Sequence, residues 1–495
     1  MRYLNQSLAV FLTLALLASS ATAQPPAAGD DGPRGLRVRA EGAFEGYTLI
    51  SPLGAGFALL LDMEGEIAHR WEADCSPGSL YLLDSGNLLF LGHRETSSRF
   101  QGPGVGGGVL QEITWEGEVV WEHVLSDDSR LMHHDVERLP SGNVLAIVWE
   151  YLPREQVIAL GRDPEHVDDK GLWIDAVLEL RAKPPKGADV VWEWHARDHL
   201  IQDFSPDLAG YASIPDLPGR LDINADHRDR PPLSLEEASD LEEVRKKMIA
   251  LGYAVEDNEQ SRDEEPRRGH APDWLHTNAI DYHPELDLIL LSTPHLGEVF
   301  VIDHSTTTRE AASSSGGRWG HGGELLFRWG NPRNYGAGGP GDQRLFYQHD
   351  PTWIPGEKEG ELRLLLFNNG WGRPEGGFSS VEELLLPFDP GKGFLREDGK
   401  AFGPEGPAWS YSAQGEFFSP FISGAQRLED GNTLICSGVP GRVFEVTREG
   451  QIVWDYLNPH EGERIKIPNP PPPTALFRAT RIPVDHPGLG KLGRR

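Results

Sequence analysis

The chain predicts an all-β fold, a six-bladed β-propeller, from three observations: a recurring tryptophan-ended segment, a recurring turn ahead of it, and a surplus strand near the C-terminal end. Six segments close on a similar short strand: IAHRW at Trp71, EVVW at Trp121, DVVW at Trp192, LLFRW at Trp329, PAWSY around Trp409 and QIVW at Trp454. Several follow a Glu-Gly or similar turn and an alternating stretch such as GGVLQEITWEG, DAVLELR, GEVFVIDH or GRVFEVTREG, the pattern of a β-hairpin. A second hairpin lies ahead of these, clearest in SLYLLDSGNLLFLGH, HHDVERLPSGNVLAIVWE and FISGAQRLEDGNTLICSG, with Gly86-Asn87, Gly142-Asn143 and Gly431-Asn432 at matching turns. The repeating unit is therefore four antiparallel strands, A to D, and its length of roughly 45 residues or more is that of a propeller blade.

The first unit lacks its strand A, since only GYTLISP, FALLLDM and EIAHRW precede Trp71. At the other end FRATRIP, residues 477–483, reads as a strand A with no B, C or D after it. Joining the two closes the ring and removes an open sheet edge.

The expected organisation is one propeller over residues 46–488, a linker over 24–45 and a short tail over 489–495. Residues 1–23 read as a signal peptide: Arg2, an apolar run from Leu8 to Ala18, then Ala21-Thr22-Ala23 before the expected cut. That run is too short to span a bilayer and no other transmembrane candidate occurs, so the expectation is a periplasmic or secreted protein. Residues 195–272 interrupt the repeat. They carry a capping-box pattern, Ser234-Leu235-Glu236-Glu237, and a helical run through Leu241, Val244 and Met248 to Gly252. A partly helical rim or lid insertion is expected there, overhanging the start of the A strands.

Two cysteines, Cys75 and Cys436, fall in the first complete A-strand region and in the last strand B. They read either as a bond across the closed ring or as two separate buried thiols. The net charge of -30 and pI near 5.0 argue against nucleic acid or an anionic membrane as partner, and an anionic substrate needs a locally positive pocket. The glycine-rich run 102–108 leads into a strand and not a helix, so it reads as a loop and not a phosphate cradle. The proline run 468–474 reads as an extended linker to the closing strand.

His134, His276 and His349 form the candidate site. In HHDVERLPSG, His134 lies five residues before Leu139, and in QHDPTWIPG, His349 lies five before Ile354. Matching Pro284 to Pro140 in DWLHTNAIDYHP puts Asn278 at that position and His276 two residues earlier, on the same face of an extended strand. A propeller brings all three to the channel mouth, while Asp135 and Asp350 are expected to face the other way. Such a cluster supports two chemistries: a transition metal held by neutral imidazoles, or one ring as nucleophile with its neighbours as hydrogen-bond donors. No HExxH motif accompanies the histidines.

HHDVERLPSGN, DWLHTNAIDYHPELDLILLS, LLFRWGNPRNYG, QHDPTWIPG, LLLFNNGWGRP and FISGAQRLEDGNTLICSG…GRVFEVTREGQIVWDYLNP, in this order, resemble the bacterial arylsulfate sulfotransferase family over residues 46–488. The resemblance implies a six-bladed propeller exported to the periplasm that moves a sulfuryl group from an aryl sulfate donor to a phenolic acceptor. It implies a covalent sulfohistidine and neither a nucleotide sulfate donor nor a cofactor. Carried over by motif, His349 is the nucleophile, and His134 and His276 bind the sulfuryl oxygens. The family's arginine in a pattern like SSRH has no counterpart, for this chain reads Ser292-Thr293-Pro294-His295. His295, Arg333 and Arg373 are the candidate substitutes, and Asn278 and Asn368 are further substrate-binding candidates. Tyr335, Tyr347, Trp371, Phe417 and Phe418 are candidates to sandwich an aryl ring or to pack the loops. The family's N-terminal β domain has no room in residues 24–45. Two alternatives stand beside this reading: a metal-dependent propeller hydrolase or lyase, and a non-catalytic ligand-binding propeller.

Overall fold

The computed structural model describes residues 32–94, 99–100, 107–227, 272–413, 417–462 and 472–492. Six antiparallel sheets form the blades of a propeller, and the C-terminal strand closes the ring. The first blade runs Leu476–Pro483, Gly46–Pro52, Phe57–Leu61 and Ile67–Glu72 from inside to outside, so the surplus strand does supply the missing strand A. The third blade is Arg130–Arg138, Val144–Leu152, Leu172–Ala182 and Ala188–His195; the fourth is Ala279–His283, Leu288–Thr293, Glu298–Asp303 and Phe327–Trp329. The fifth is His349–Ile354, Arg363–Asn368, Ser380–Leu385 and Trp409–Tyr411. Among the described residues α-helix is confined to Arg154–Ala159 and Thr308–Ala311.

The recurring tryptophans bolt each blade to the next. Each strand D packs over the C–D turn of the following blade, and five of the six indole N–H groups reach an acceptor there. Trp121 donates to the Gly187 carbonyl (2.8 Å), Trp329 to Pro404 (2.7 Å), Trp409 to Arg448 (2.9 Å) and Trp454 to Met63 (3.0 Å). Trp192 donates to the Thr306 hydroxyl at 3.2 Å, while Trp71 meets the next blade edge-on through Trp115, centroids 5.1 Å apart. A buried indole finds a partner for its one donor, and here that requirement spaces the blades. The apolar alternation of strands B and C fills the cores between blades: Ile147, Ile174 and Trp192 of the third blade share one with Ile289 and Phe300 of the fourth.

A second set of latches runs around the channel between A strands. Asp135 accepts from the Ile280 N–H (3.2 Å), Asp281 from Trp353 (2.6 Å) and Asp350 from Ala425 (3.1 Å). Gln426 accepts from Arg481 N–H at 2.7 Å and carries the pattern across the closure.

Several details depart from expectation. Gly35–Arg39, within the expected linker, pairs with Ile452–Leu457 as a fifth, outermost strand of the last blade. The expected tail contributes to packing, because the turn Pro487–Lys491 seats Leu489 in the core between the first and second blades. The described start of the insertion holds short turns and a parallel pair, Leu200–Ile201 with Leu221–Asp222. The helix expected over 234–252, the signal peptide and most of the two loop runs lie outside the described residues. Cys75 and Cys436 are free thiols buried in different cores, so they do not bond to each other.

Candidate functional site

The site forms where the A strands begin, and the ladders show that the histidines are not at matched positions. In the third blade Met132 faces Val148 and Val136 faces Ala146, so His133, His134 and Asp135 bulge opposite one residue. In the fifth, His349 faces Phe367 and Thr352 faces Leu365, so the bulge is Asp350 and Pro351. His134 therefore matches Asp350, and both take left-handed backbone, φ 57 and 54. His349 starts its ladder instead, and His276 (φ 55) lies ahead of the ladder that begins at Ala279. Bulges add residues without adding pairs, so a count from the turn slips by one or more. Non-glycine residues at positive φ cost about 1–3 kcal/mol each and gather at functional sites; His134, His276, Tyr347 and Asp350 all do so here.

His349 is buried, and its Nδ1–H donates to Asn369 Oδ1 (2.8 Å) and to the Tyr347 carbonyl (3.0 Å). The Asn369 amide is itself fixed, since its Nδ2 donates to the carbonyls of Ser419 (2.7 Å) and Ile422 (2.8 Å). Both partners of Nδ1 are acceptors, so the proton resides there and Nε2 keeps its lone pair. Burial pushes the ring's pKa down to about 3, against the raising effect of those two bonds, so it stays neutral.

His276 is the opposite case. Burial works against its protonation, but the Asp273 carboxylate, hydrogen-bonded to its Nδ1, raises the pKa overall. His295 stacks on His276 at 4.7 Å and bonds to the Asp273 carbonyl through Nδ1 (3.1 Å). His134 meets His276 edge-on at 4.4 Å, with its Nδ1 2.7 Å from that of His133. Burial, then the charge of His276, pushes both His134 and His295 down. The cluster thus holds one ring that favours charge and several that resist it. Tyr347 links His295 to His349, with its ring 6.0 Å from His295 and stacked on Trp371 at 5.0 Å.

Asp135 and Asp350 do turn from the rings. They clasp Arg478, a partly buried arginine of the closing strand, at 2.9 and 2.7 Å, and Tyr81 adds a contact at 3.1 Å. Burial still pushes Asp350 up to about 6 despite that guanidinium.

The other expected residues divide. Asn278 ties two blades by donating to the Gln348 carbonyl at 2.9 Å. Asn368 faces away from the cluster, donating to Arg344 O (2.9 Å) and Glu382 (3.0 Å); its neighbour Asn369 is the one that meets His349. Arg373 is committed to Ser380 (2.9 Å) and Glu382 (3.6 Å), and Arg333 lies in the turn Pro332–Tyr335. Tyr335 and Phe417 belong to cores. Sequence reasoning missed Asn369, Asp273, His133 and Arg478. Asn369 sits beside Asn368 in an Asn-Asn pair, and strand alternation was the signal that separated them.

The arylsulfotransferase (ASST) family profile matches residues 49–381, a span that includes His134, His276 and His349. The chain belongs to the arylsulfotransferase family. As an arylsulfotransferase-family propeller it has weak likenesses among solved structures. A Bacteroides caccae protein of unknown function aligns at 12% identity over 88% of this chain and 99% of its own, TM-score 0.41. The Pseudomonas aeruginosa periplasmic gluconolactonase aligns at 12% over 87% and 98%, TM-score 0.35. A putative 6-phosphogluconolactonase from Bacteroides fragilis aligns at 10% over 90% and 99%, TM-score 0.33. These values carry no argument about activity. Comparison with curated proteins gives no match. No helix among the described residues is long and apolar enough to cross a membrane.

Proposed function

We propose that this arylsulfotransferase-family propeller moves a sulfuryl group from an aryl sulfate ester to a phenolic acceptor through a sulfohistidine at His349, after export to the periplasm. The observation that carries the reading is the buried, neutral His349 ring with its proton held on Nδ1 by Asn369 and Tyr347. Its Nε2 lone pair attacks sulfur in line; the N–S bond forms as the S–O bond to the aryl group breaks, and the phenolate leaves with that electron pair. The acceptor phenol oxygen then attacks sulfur, loses its proton to solvent, and returns the N–S electron pair to His349.

Such a transfer needs donors for charge spread over the sulfuryl oxygens more than it needs covalent help. His276 fits that role, because Asp273 holds its Nδ1 and favours the cationic ring. His295, next to Pro294, stacks on His276 as a neutral ring, since burial and the charge of His276 lower its pKa, and Arg373 is already paired, so the cationic donor is His276 itself. His276 thus supplies local positive charge in a chain of net charge -30. Tyr347 and Trp371 form the stacked pair beside the cluster that suits an aryl ring.

One observation favours a second reading, metal-dependent hydrolysis or elimination: ligand atoms of Asp273, His276 and His295 lie within 4.8 Å of one another. Incubation with a chromogenic aryl sulfate, followed by intact-mass analysis and peptide mapping, separates the two. Sulfuryl transfer predicts one added sulfuryl group on His349, absent in His349→Ala, and product formation that needs a phenol and survives chelator. A rate that disappears with chelator and returns with a transition metal, without label on His349, sinks the sulfohistidine.

A further inference from the structure

Outside the channel cluster, a second group of metal-ligating side chains lies on the same rim. Asp163 and His166 belong to the connection between Val144–Leu152 and Leu172–Ala182, strands B and C of the third blade. His227 comes from the insertion that leaves the same blade after strand D. One ligand atom from each of the three lies within 4.8 Å of the others, and the two imidazoles stack with centroids 3.7 Å apart and planes 19° from parallel.

The surroundings are built to hold these groups. The Asp226 carboxylate lies 3.1 Å from His227 Nδ1, so that nitrogen carries the proton and Nε2 is left as the ligating atom. Asp226 is itself gripped through both oxygens by the buried Arg162, at 2.8 and 2.9 Å. Asn224 crosslinks the two segments, accepting from Asp163 N–H and donating to the Gly161 carbonyl, both at 2.9 Å. A carboxylate-oriented histidine beside a second histidine and an aspartate is the arrangement found around bound transition metals, where the outer carboxylate fixes tautomer and ring direction.

We propose that Asp163, His166 and His227 bind a divalent transition ion of the zinc type, with water completing a tetrahedral set. Two imidazoles and one carboxylate are a donor set suited to zinc and its neighbours and poorly suited to calcium or magnesium. The site's role is structural: the ion clips the B–C connection of the third blade to the base of the insertion. That connection ends at Leu172 and Trp173, where the chain meets the far end of the insertion. There the Trp173 N–H donates to the Pro272 carbonyl (2.5 Å), and the Trp173 carbonyl accepts from the Trp274 N–H (3.3 Å). Asp273, which holds His276, lies between those two contacts. The rim ion therefore anchors the wall that carries the channel carboxylate, and the proposal stands whether or not His349 is a nucleophile.

The test is metal content and titration of the untagged mature chain, first stripped with chelator, then titrated with Zn2+ and with Co2+, whose visible absorption reports the ligand field. One equivalent is expected at this site. His166→Ala/His227→Ala should lose that equivalent, His276→Ala/His295→Ala should keep it, and Asp226→Asn should weaken it about 10–100-fold. Wild-type protein that takes up no ion with the metal in excess overturns the proposal without reference to any variant. So does an equivalent retained in His166→Ala/His227→Ala, or one lost only in His276→Ala/His295→Ala.

Discussion

Asn369 decides which nitrogen of His349 meets the substrate, and two substitutions expose this. Asn369→Ala releases the ring to either tautomer; kcat should fall about 10–100-fold with little change in KM, as when an orienting partner is removed. Asn369→Asp should instead favour the imidazolium. His349 is neutral down to about pH 3 in the native chain, so its ring gives no acid limb in the working range, whereas the aspartate variant should gain one. A pH–rate profile that is the same in both proteins removes Asn369 from the positioning role. Asp273 has the converse task. It raises the pKa of His276, so the cationic form is present at low pH and lost as pH rises through that raised value. Asp273→Asn should move the alkaline limb of kcat/KM to lower pH; an unmoved limb means that His276 is not the cation the reaction uses.

At the scale of elements, the blade repeat was legible in the chain because its physics repeats. Each strand D needs an indole that reaches the next C–D turn, and each A–B turn needs a residue at positive φ, supplied by Gly86, Gly142 and Gly431. The bulges were not legible, since the extra residue pairs with nothing and leaves no periodic mark, and this is why His134 and His349 looked equivalent. Nor was Arg478, whose partners Asp135 and Asp350 come from other blades, and Asp273 lies ahead of its strand, where no strand period marks it. A latch of that hidden kind gives a measurable pH dependence. His304 lies between Asp287 (2.7 Å) and Glu179 of the preceding blade (3.2 Å). Burial opposes its charge, but the two carboxylates prevail and bring it up to about 9. A raised folded-state pKa contributes stability that is complete below the unfolded value of about 6.5 and lost as pH rises through about 9. Urea unfolding should therefore show a decline on the order of 2–3 kcal/mol between pH 6.5 and 9.5, and His304→Gln should be less stable at the lower pH and flat across the window. An unchanged slope in the variant assigns the decline to other groups.

For the whole molecule, closure and site assembly are one event, because the strand that completes the first blade also carries Arg478 to Asp135 of the third blade and Asp350 of the fifth. The two functions of that strand can be separated. Ending the chain after Ala475 removes both, exposing the edge of Gly46–Pro52 and leaving two buried carboxylates without their cation; open edges pair with other chains, so the expected product is aggregated protein without a cooperative transition. Arg478→Met keeps the strand and removes only the charge. It should fold but lose about 3–5 kcal/mol, the cost of leaving buried carboxylates unpaired. Deleting the residues before Ala40 is the contrasting case: it strips the fifth strand Gly35–Arg39 from the last blade, which then ends at its own strand D as the others do. That chain should unfold within about 1 kcal/mol of the full-length protein, since the removed strand is largely solvent-facing and strand pairing at an exposed edge contributes little net stability. Urea midpoints for the three proteins give the ranking. If the Arg478→Met chain matches the parent while the N-terminal deletion collapses, ring closure does not depend on the channel charges, and the outer strand is what holds the last blade to the first.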